Sequence, residues 1–295
     1  MSRKKAVFLY ESKRMRWFAL AGIIAGGLFT ILMMHEFKGA FEDGSFYLGG
    51  GINFGFCKML GSASILIVGC IAVMSIFQFS DWHKKSTQEY LLSLPFTQKE
   101  RFLAKALCGY GTILLSGITV LLGMIYVRNC YITEFWKNLS GIAYSDIIMG
   151  NNTMWQLIQL GLQLILMMLA LYSVFLLAHI LVSRGIMAAL IGTGMSFAPI
   201  YLWSVGYVLL YDGWFFREMQ LDIPKYREWG QYLGLCVGSG FRSTDMCSQM
   251  ESSSYYIIVN YSNFWLMLFA AFATIFIIGG LAYWISGRVD MARTG

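Results

Sequence analysis

The sequence predicts an all-α integral membrane protein with six transmembrane helices, an N-terminal interfacial helix and both termini on the cytoplasmic side. Three observations carry that expectation. Hydrophobic residues make up 57% of the 295-residue chain and charged residues only 13%, about half the charged share of a soluble domain. Six apolar stretches, at about 17–34, 56–79, 106–127, 154–182, 186–211 and 257–285, approach or exceed the ~20 residues that cross a bilayer as helix, and no charge falls in the middle of any. Basic residues segregate: Arg3, Lys4, Lys5, Lys13, Arg14, Arg16, Lys84, Lys85, Lys99, Arg101, Lys105, Arg184, Arg288 and Arg293 all fall in segments on one side, leaving eight of the 22 for the longer loops opposite. That bias places the first side inward.

Taken in order, residues 3–16 read as an amphipathic helix lying at the inner interface before the chain turns into span one. Val7, Phe8 and Tyr10 would face lipid, Lys13 and Arg14 the headgroups, and Trp17 would sit at interface depth; a disordered basic leader is the alternative. No small-residue cleavage pattern follows, so a cleaved signal peptide is not expected. Gly22 and Gly26 form a GxxxG in span one, and Gly192 and Ser196 repeat the spacing in span five, near a Pro199 that would kink it. Such spacing serves packing within a chain or between subunits. Only residues 183–185 join spans four and five, which demands a tight antiparallel hairpin. The chain, 1–295, is expected to be a single transmembrane domain with outer loops at 35–55, 128–153 and 212–256. The last is a long extracellular segment whose Trp214, Phe215, Phe216, Trp229 and Tyr232 suggest short helices at the outer interface.

Enzyme chemistry finds no foothold. The three histidines are His35, His83 and His179, with no HExxH, no GxSxG and no carboxylate within a span. The glycine-rich stretch 48–55 lacks a following Lys-Ser/Thr, so nucleotide energy, if used, must come from another chain. No residue is assigned to catalysis, to a cofactor or to a metal. The cysteines show no CxxC and no histidine at metal spacing; Cys236 and Cys247 share the third outer loop and could bridge it or remain thiols. The net charge of +6 fits an anionic inner leaflet, and nothing else points to nucleic acid.

One long polar stretch remains, SDWHKKSTQEYLLSLPFTQKERFLAK at 80–105. Ser86 is an N-cap with Glu89 as its partner three residues on, starting a short helix through about Leu92. Pro95 stops that helix, and Thr97 with Glu100 forms a second capping box that starts the helix becoming span three. Tyr90, Leu91 and Leu94 share one side. A helix of one turn cannot hold itself up in water, so this side needs a partner surface, either its own bundle or another protein.

The run 84–105 resembles the coupling-helix region of type-2 ABC permeases, the membrane subunits of exporters. The residues that carry the likeness are Thr87, Glu89, Leu91, Leu92, Ser93, Leu94, Pro95, Thr97, Lys99 and Glu100. SDWH at 80–83 departs from the fully charged lead of that pattern, and beyond the hairpin the likeness is architectural. The resemblance implies a pathway between two six-span halves, identical or related, with two ABC ATP-binding subunits beneath that hold the ATP and Mg. Ser86, Thr87, Glu89, Tyr90, Leu91, Leu92, Leu94 and Pro95 would then couple the halves to those ATPases, with Glu89 capping its helix, contacting the ATPase, or both.

The route of any cargo is weakly marked. Gln156, Gln159 and Gln163 make a polar stripe in span four, and Asn260 and Asn263 a second in span six. They line a pathway or hydrogen-bond between helices. Without a buried charge pair a proton or ion relay is disfavoured, and an amphipathic or apolar cargo (a peptide antibiotic, lipid or drug) fits the aromatic, Met-rich spans better. These expectations describe a multi-pass permease of a bacterial cytoplasmic membrane. The alternative is a non-transporting membrane scaffold or sensor that holds a cytoplasmic partner.

Overall fold

The computed structural model describes residues 3–42, 52–80, 97–139, 154–182, 184–196, 218–221, 241–242, 255–259 and 264–288. Among these residues six helices dominate: α1 (Arg3–Glu42), α2 (Ile52–Phe79), α3 (Gln98–Leu139), α4 (Met154–Leu181), α5 (Gly185–Ser196) and α6 (Phe264–Ser286). Three of them, over Lys5–Gly39, Gln98–Glu134 and Leu157–Leu181, are long and apolar enough to cross a membrane.

The expected break between an interfacial helix and span one is absent. Residues 3 to 42 form one helix, about 60 Å long at 1.5 Å per residue, twice the ~30 Å hydrocarbon core. No proline or glycine stands between Arg3 and Ala21 to end a helix there. Residues 3–16 thus extend the rod. Arg14 explains how that extension is held: its Nη2 donates to the Phe77 carbonyl (2.5 Å) and to Ser80 Oγ (2.7 Å), joining the amide and hydroxyl of Ser80 on that carbonyl at the C-terminus of α2.

A second correction concerns the start of span six. Ahead of it, β1 (Glu218–Leu221), β2 (Phe241–Arg242) and β3 (Tyr255–Val259) form an antiparallel sheet in the order β1-β3-β2. Glu218 pairs with Ile258 and Phe241 with Val259. The central strand, Tyr-Tyr-Ile-Ile-Val, is aromatic and β-branched throughout, the composition that suits a pleated surface. Consequently α6 starts at Phe264, not near 257, and its 23 residues still reach about 34 Å. Trp214, Phe215, Phe216, Trp229, Tyr232 and Pro199 lie outside the described residues.

α4 is the central helix. It packs against α2, α3 and α6, and every residue from Ala170 to Ile180 is buried, as an all-round apolar helix requires. α1 is peripheral: Trp17, Leu20, Ile24, Leu28 and Ile31 are exposed, an outward face suited to lipid. α1 and α3 run parallel along a seam of small residues. A Cβ at Gly22 would meet Ser116, one at Gly26 would lie 2.9 Å from Thr119 Cγ2, and one at Gly123 would meet Thr30. Higher up, Tyr131 donates to the Met34 carbonyl (3.1 Å) and stacks on Phe41. The GxxxG in α1 therefore serves packing within the chain. Gly192 does the same for the α4–α5 hairpin, where a Cβ would come 2.6 Å from Phe175 Cδ1.

These contacts fix relative direction. The start of α1, the end of α2, the start of α3 and the ends of α4 and α6 meet at one end of the molecule, through Arg14–Ser80, Phe79–His179 and Phe102–Tyr283.

At that end α3 starts with the expected reciprocal cap. The Thr97 amide donates to Glu100 Oε2 and the Glu100 amide to Thr97 Oγ1, both at 3.2 Å, so two amides that helix geometry orphans are satisfied by side chains. Thr97→Val is expected to cost about 1 kcal/mol locally. Hydrogen exchange at amides 98–100 should then speed up roughly fivefold, while exchange deeper in α3 stays unchanged.

Candidate functional site

The residues proposed for coupling, Ser86, Thr87, Glu89, Tyr90, Leu91, Leu92, Leu94 and Pro95, lie outside the described residues, as do Asn260 and Asn263. What is described is the pair of stems from which that stretch hangs: α2 ending at Phe79 and α3 starting at Gln98. Both stems are built into a buried polar network.

Its centre is an ion pair. Lys105 Nζ lies 2.9 Å from Glu11 Oε1, with the two side chains 1% and 4% exposed. The same ammonium donates to the Gln78 carbonyl at 2.9 Å, and Gln78 Nε2 donates back to the Lys105 carbonyl at 2.5 Å. Tyr172 of α4 donates its hydroxyl to Gln78 Oε1. Four helices thus meet through Glu11 (α1), Gln78 (α2), Lys105 (α3) and Tyr172 (α4). Lys105 sits seven residues into α3, about 10 Å from its start.

The shell around this centre is aromatic. Phe79 lies under Lys105 Nζ at 5.8 Å, a cation–π distance, and stacks on His179 with ring centroids 4.9 Å apart. His179 Nε2 is 3.0 Å from Ser75 Oγ. Tyr110 meets Tyr172 edge-on at 5.1 Å and shares a 2.7 Å hydrogen bond with Ser173. Nearer the end of the molecule, Arg288 stacks over Trp284 at 3.7 Å and Lys99 over Tyr283 at 5.8 Å.

This network overturns one expectation. Spans without central charge suggested that no buried charge pair exists; Glu11 and Lys105 form one. Each sits just outside the apolar stretch predicted for its helix, 17–34 for Glu11 and 106–127 for Lys105. The pair is buried because α1 continues straight below that stretch and lays Glu11 against α3. Isolated ions cannot be left in such a place, but a matched pair with further hydrogen bonds can. Glu11 Oε2 is buried and has no hydrogen-bond partner among the described residues.

The glutamine stripe is only partly described. Gln159 and Gln163 are half-buried in α4 and the side chain of Gln156 lies outside the described ones, so the stripe is not placed against a pathway. Cys70 and Cys130 are exposed thiols and Cys108 a buried one; Cys236 and Cys247 lie outside the described residues. Among the described residues no three His, Cys, Asp or Glu side chains converge as a metal site would require.

Glu11, Gln78 and Tyr172 are the functional candidates that sequence reasoning missed, while Lys105 was read only as an inner-side charge. The available signals were thin: Glu11 is the one acid in a basic N-terminal segment, and Gln78 is an amide at the foot of an apolar span. No family model, no curated protein and no solved structure matches the chain.

Proposed function

We propose that this chain is the membrane-spanning permease subunit of an ATP-driven exporter of the type-2 ABC class. In this reading the six helices are six spans, and the end where the network lies faces the cytoplasm together with both termini. The stretch 86–95 docks onto a separate ATPase. Two such halves, identical or related, form the pathway for an amphipathic or apolar cargo, and two ATP-binding subunits supply ATP and Mg.

One observation carries most of the weight. The two stems that carry the polar stretch between α2 and α3 are anchored firmly to each other. The far stem restarts on a reciprocal capping box, and the bonds between the stems run through Gln78 and Lys105. A loop that merely connects spans has no need of such anchoring, whereas a lever that takes up a partner's movement does. This anchoring supports the likeness of residues 84–105 to a coupling helix. A scaffold that holds a partner without transport would use the same anchoring, and ATP turnover separates the two.

The test is co-purification from native membranes. The chain is expected to recover an ATPase whose vanadate-sensitive activity it stimulates. Leu91→Asp or Leu94→Asp should reduce that recovery at least tenfold, since burying an unpaired carboxylate in an apolar contact costs more than the ~1.4 kcal/mol that corresponds to each factor of ten. Membrane insertion should persist. Unchanged recovery in both variants rejects the docking role, and a partner without ATPase activity favours the scaffold.

A further inference from the structure

Accepting that reading, we infer that Glu11, Lys105 and Arg14 are positioning residues that bind α1 to both stems of the hairpin, so that a load applied at 81–96 moves α1, α2 and α3 as one body. The geometry is a closed triangle. Arg14 ties α1 to the α2 stem through the Phe77 carbonyl and Ser80. Glu11 ties α1 to the α3 stem through Lys105. The third side is the reciprocal pair of bonds between Gln78 and Lys105.

Three sides make the unit stiff in a way that two do not. With the Gln78–Lys105 side alone, the hairpin could pivot on α4 and leave α1 behind. With α1 attached at both stems, any displacement of the hairpin is delivered to the parallel α1–α3 seam. That seam is tight at Gly22, Gly26 and Gly123 and bonded again at Tyr131–Met34, so it can carry movement along most of α1. Stability does not by itself account for the ion pair: apolar side chains of similar volume hold helices together at least as well. Charge adds registry, because a short, desolvated ion pair tolerates little displacement.

The experiment uses the full chain with the ATPase that co-purifies with it, reconstituted in proteoliposomes. Glu11→Leu combined with Lys105→Met removes both charges together and keeps the site apolar. Arg14→Met, at a half-buried position, removes the other attachment and guards against a folding defect in the first variant. Both are expected to melt with wild type and to recover ATPase at the wild-type ratio, yet to lower the stimulation of ATP turnover at least about fivefold, the lower end of ordinary coupling effects. A merely structural role would leave stimulation intact once folding and recovery are intact. Full stimulation in either folded, docked variant overturns the inference alone. Failure of the wild-type chain to recover any ATPase overturns the exporter reading and this inference with it.

Discussion

Lys105→Met on its own is expected to leave little or no folded protein in detergent, and adding Glu11→Leu is expected to bring it back. The ammonium is 1% exposed and its carboxylate partner 4%. Removing the cation strands Glu11 in the interior, where its second oxygen already has no hydrogen-bond partner among the described residues. Breaking a buried pair from one side costs about 3–5 kcal/mol, from about a fifth to the whole of the ~5–15 kcal/mol that holds a typical protein together. The Gln78 carbonyl also loses a donor. With Glu11→Leu the stranded charge is gone, and replacement of a whole ion pair by apolar groups is near neutral. Size-exclusion profiles and melting in detergent read the result directly. A Lys105→Met variant that melts with wild type would mean that the ammonium reaches water and that the pair is no part of the interior.

How much of this was legible beforehand follows from what hydropathy measures. An apolar run of ~20 residues reports that a helix can sit in lipid, and five of the six predicted stretches begin within a helix of the structure, while the sixth begins in β3 and overlaps α6 from Phe264 on. The same measure is silent about what happens below the run. Residues 3–16 carry six basic side chains and fit an interfacial helix on composition, yet nothing in them breaks a helix, and α1 runs straight through. That continuity, invisible to a composition argument, turns Glu11 inward. Lys105 likewise looked like one more positive-inside charge, because its burial depends on α1 lying alongside.

Where a local rule is complete in itself, it transferred. Thr97 and Glu100 need only each other and three residues of helix, and their reciprocal cap is present. The small-residue spacing at Gly22 and Gly26 was legible as close packing, but its partner was not, since Ser116 and Thr119 are more than ninety positions away and no local pattern names them. The strand at Tyr255–Val259 shows the converse error. An apolar run reaching into span six looked helical at its start, and only the pairing with Glu218–Leu221 and Phe241–Arg242 marks the difference.

Gly109→Leu is the second variant expected to fail outright, and its control lies two residues on in the same helix. A Cβ at Gly109 would collide with the Tyr172 hydroxyl and ring, with Cε1 only 2.8 Å away. Tyr172 has no room to yield. It is fully buried, it meets Tyr110 edge-on, and its hydroxyl is bonded to Gln78. Either α3 is pushed off α4 or the ring is expelled. Overpacking costs about 1–3 kcal/mol, and loss of the Gln78 bond leaves buried polar atoms unsatisfied at about 1–3 kcal/mol more. The two add, because the side chain that clashes is the one that donates. By contrast, a Cβ at Gly27 or Gly111 meets nothing within 4 Å. Gly111→Ala is expected to be neutral or to stabilise by up to ~1 kcal/mol through helix propensity. Equal losses at 109 and 111 would show that glycine matters there for helix flexibility and not for the approach of α4. A loss confined to 109 places the cost at the contact that joins the central helix to the charged end of the molecule.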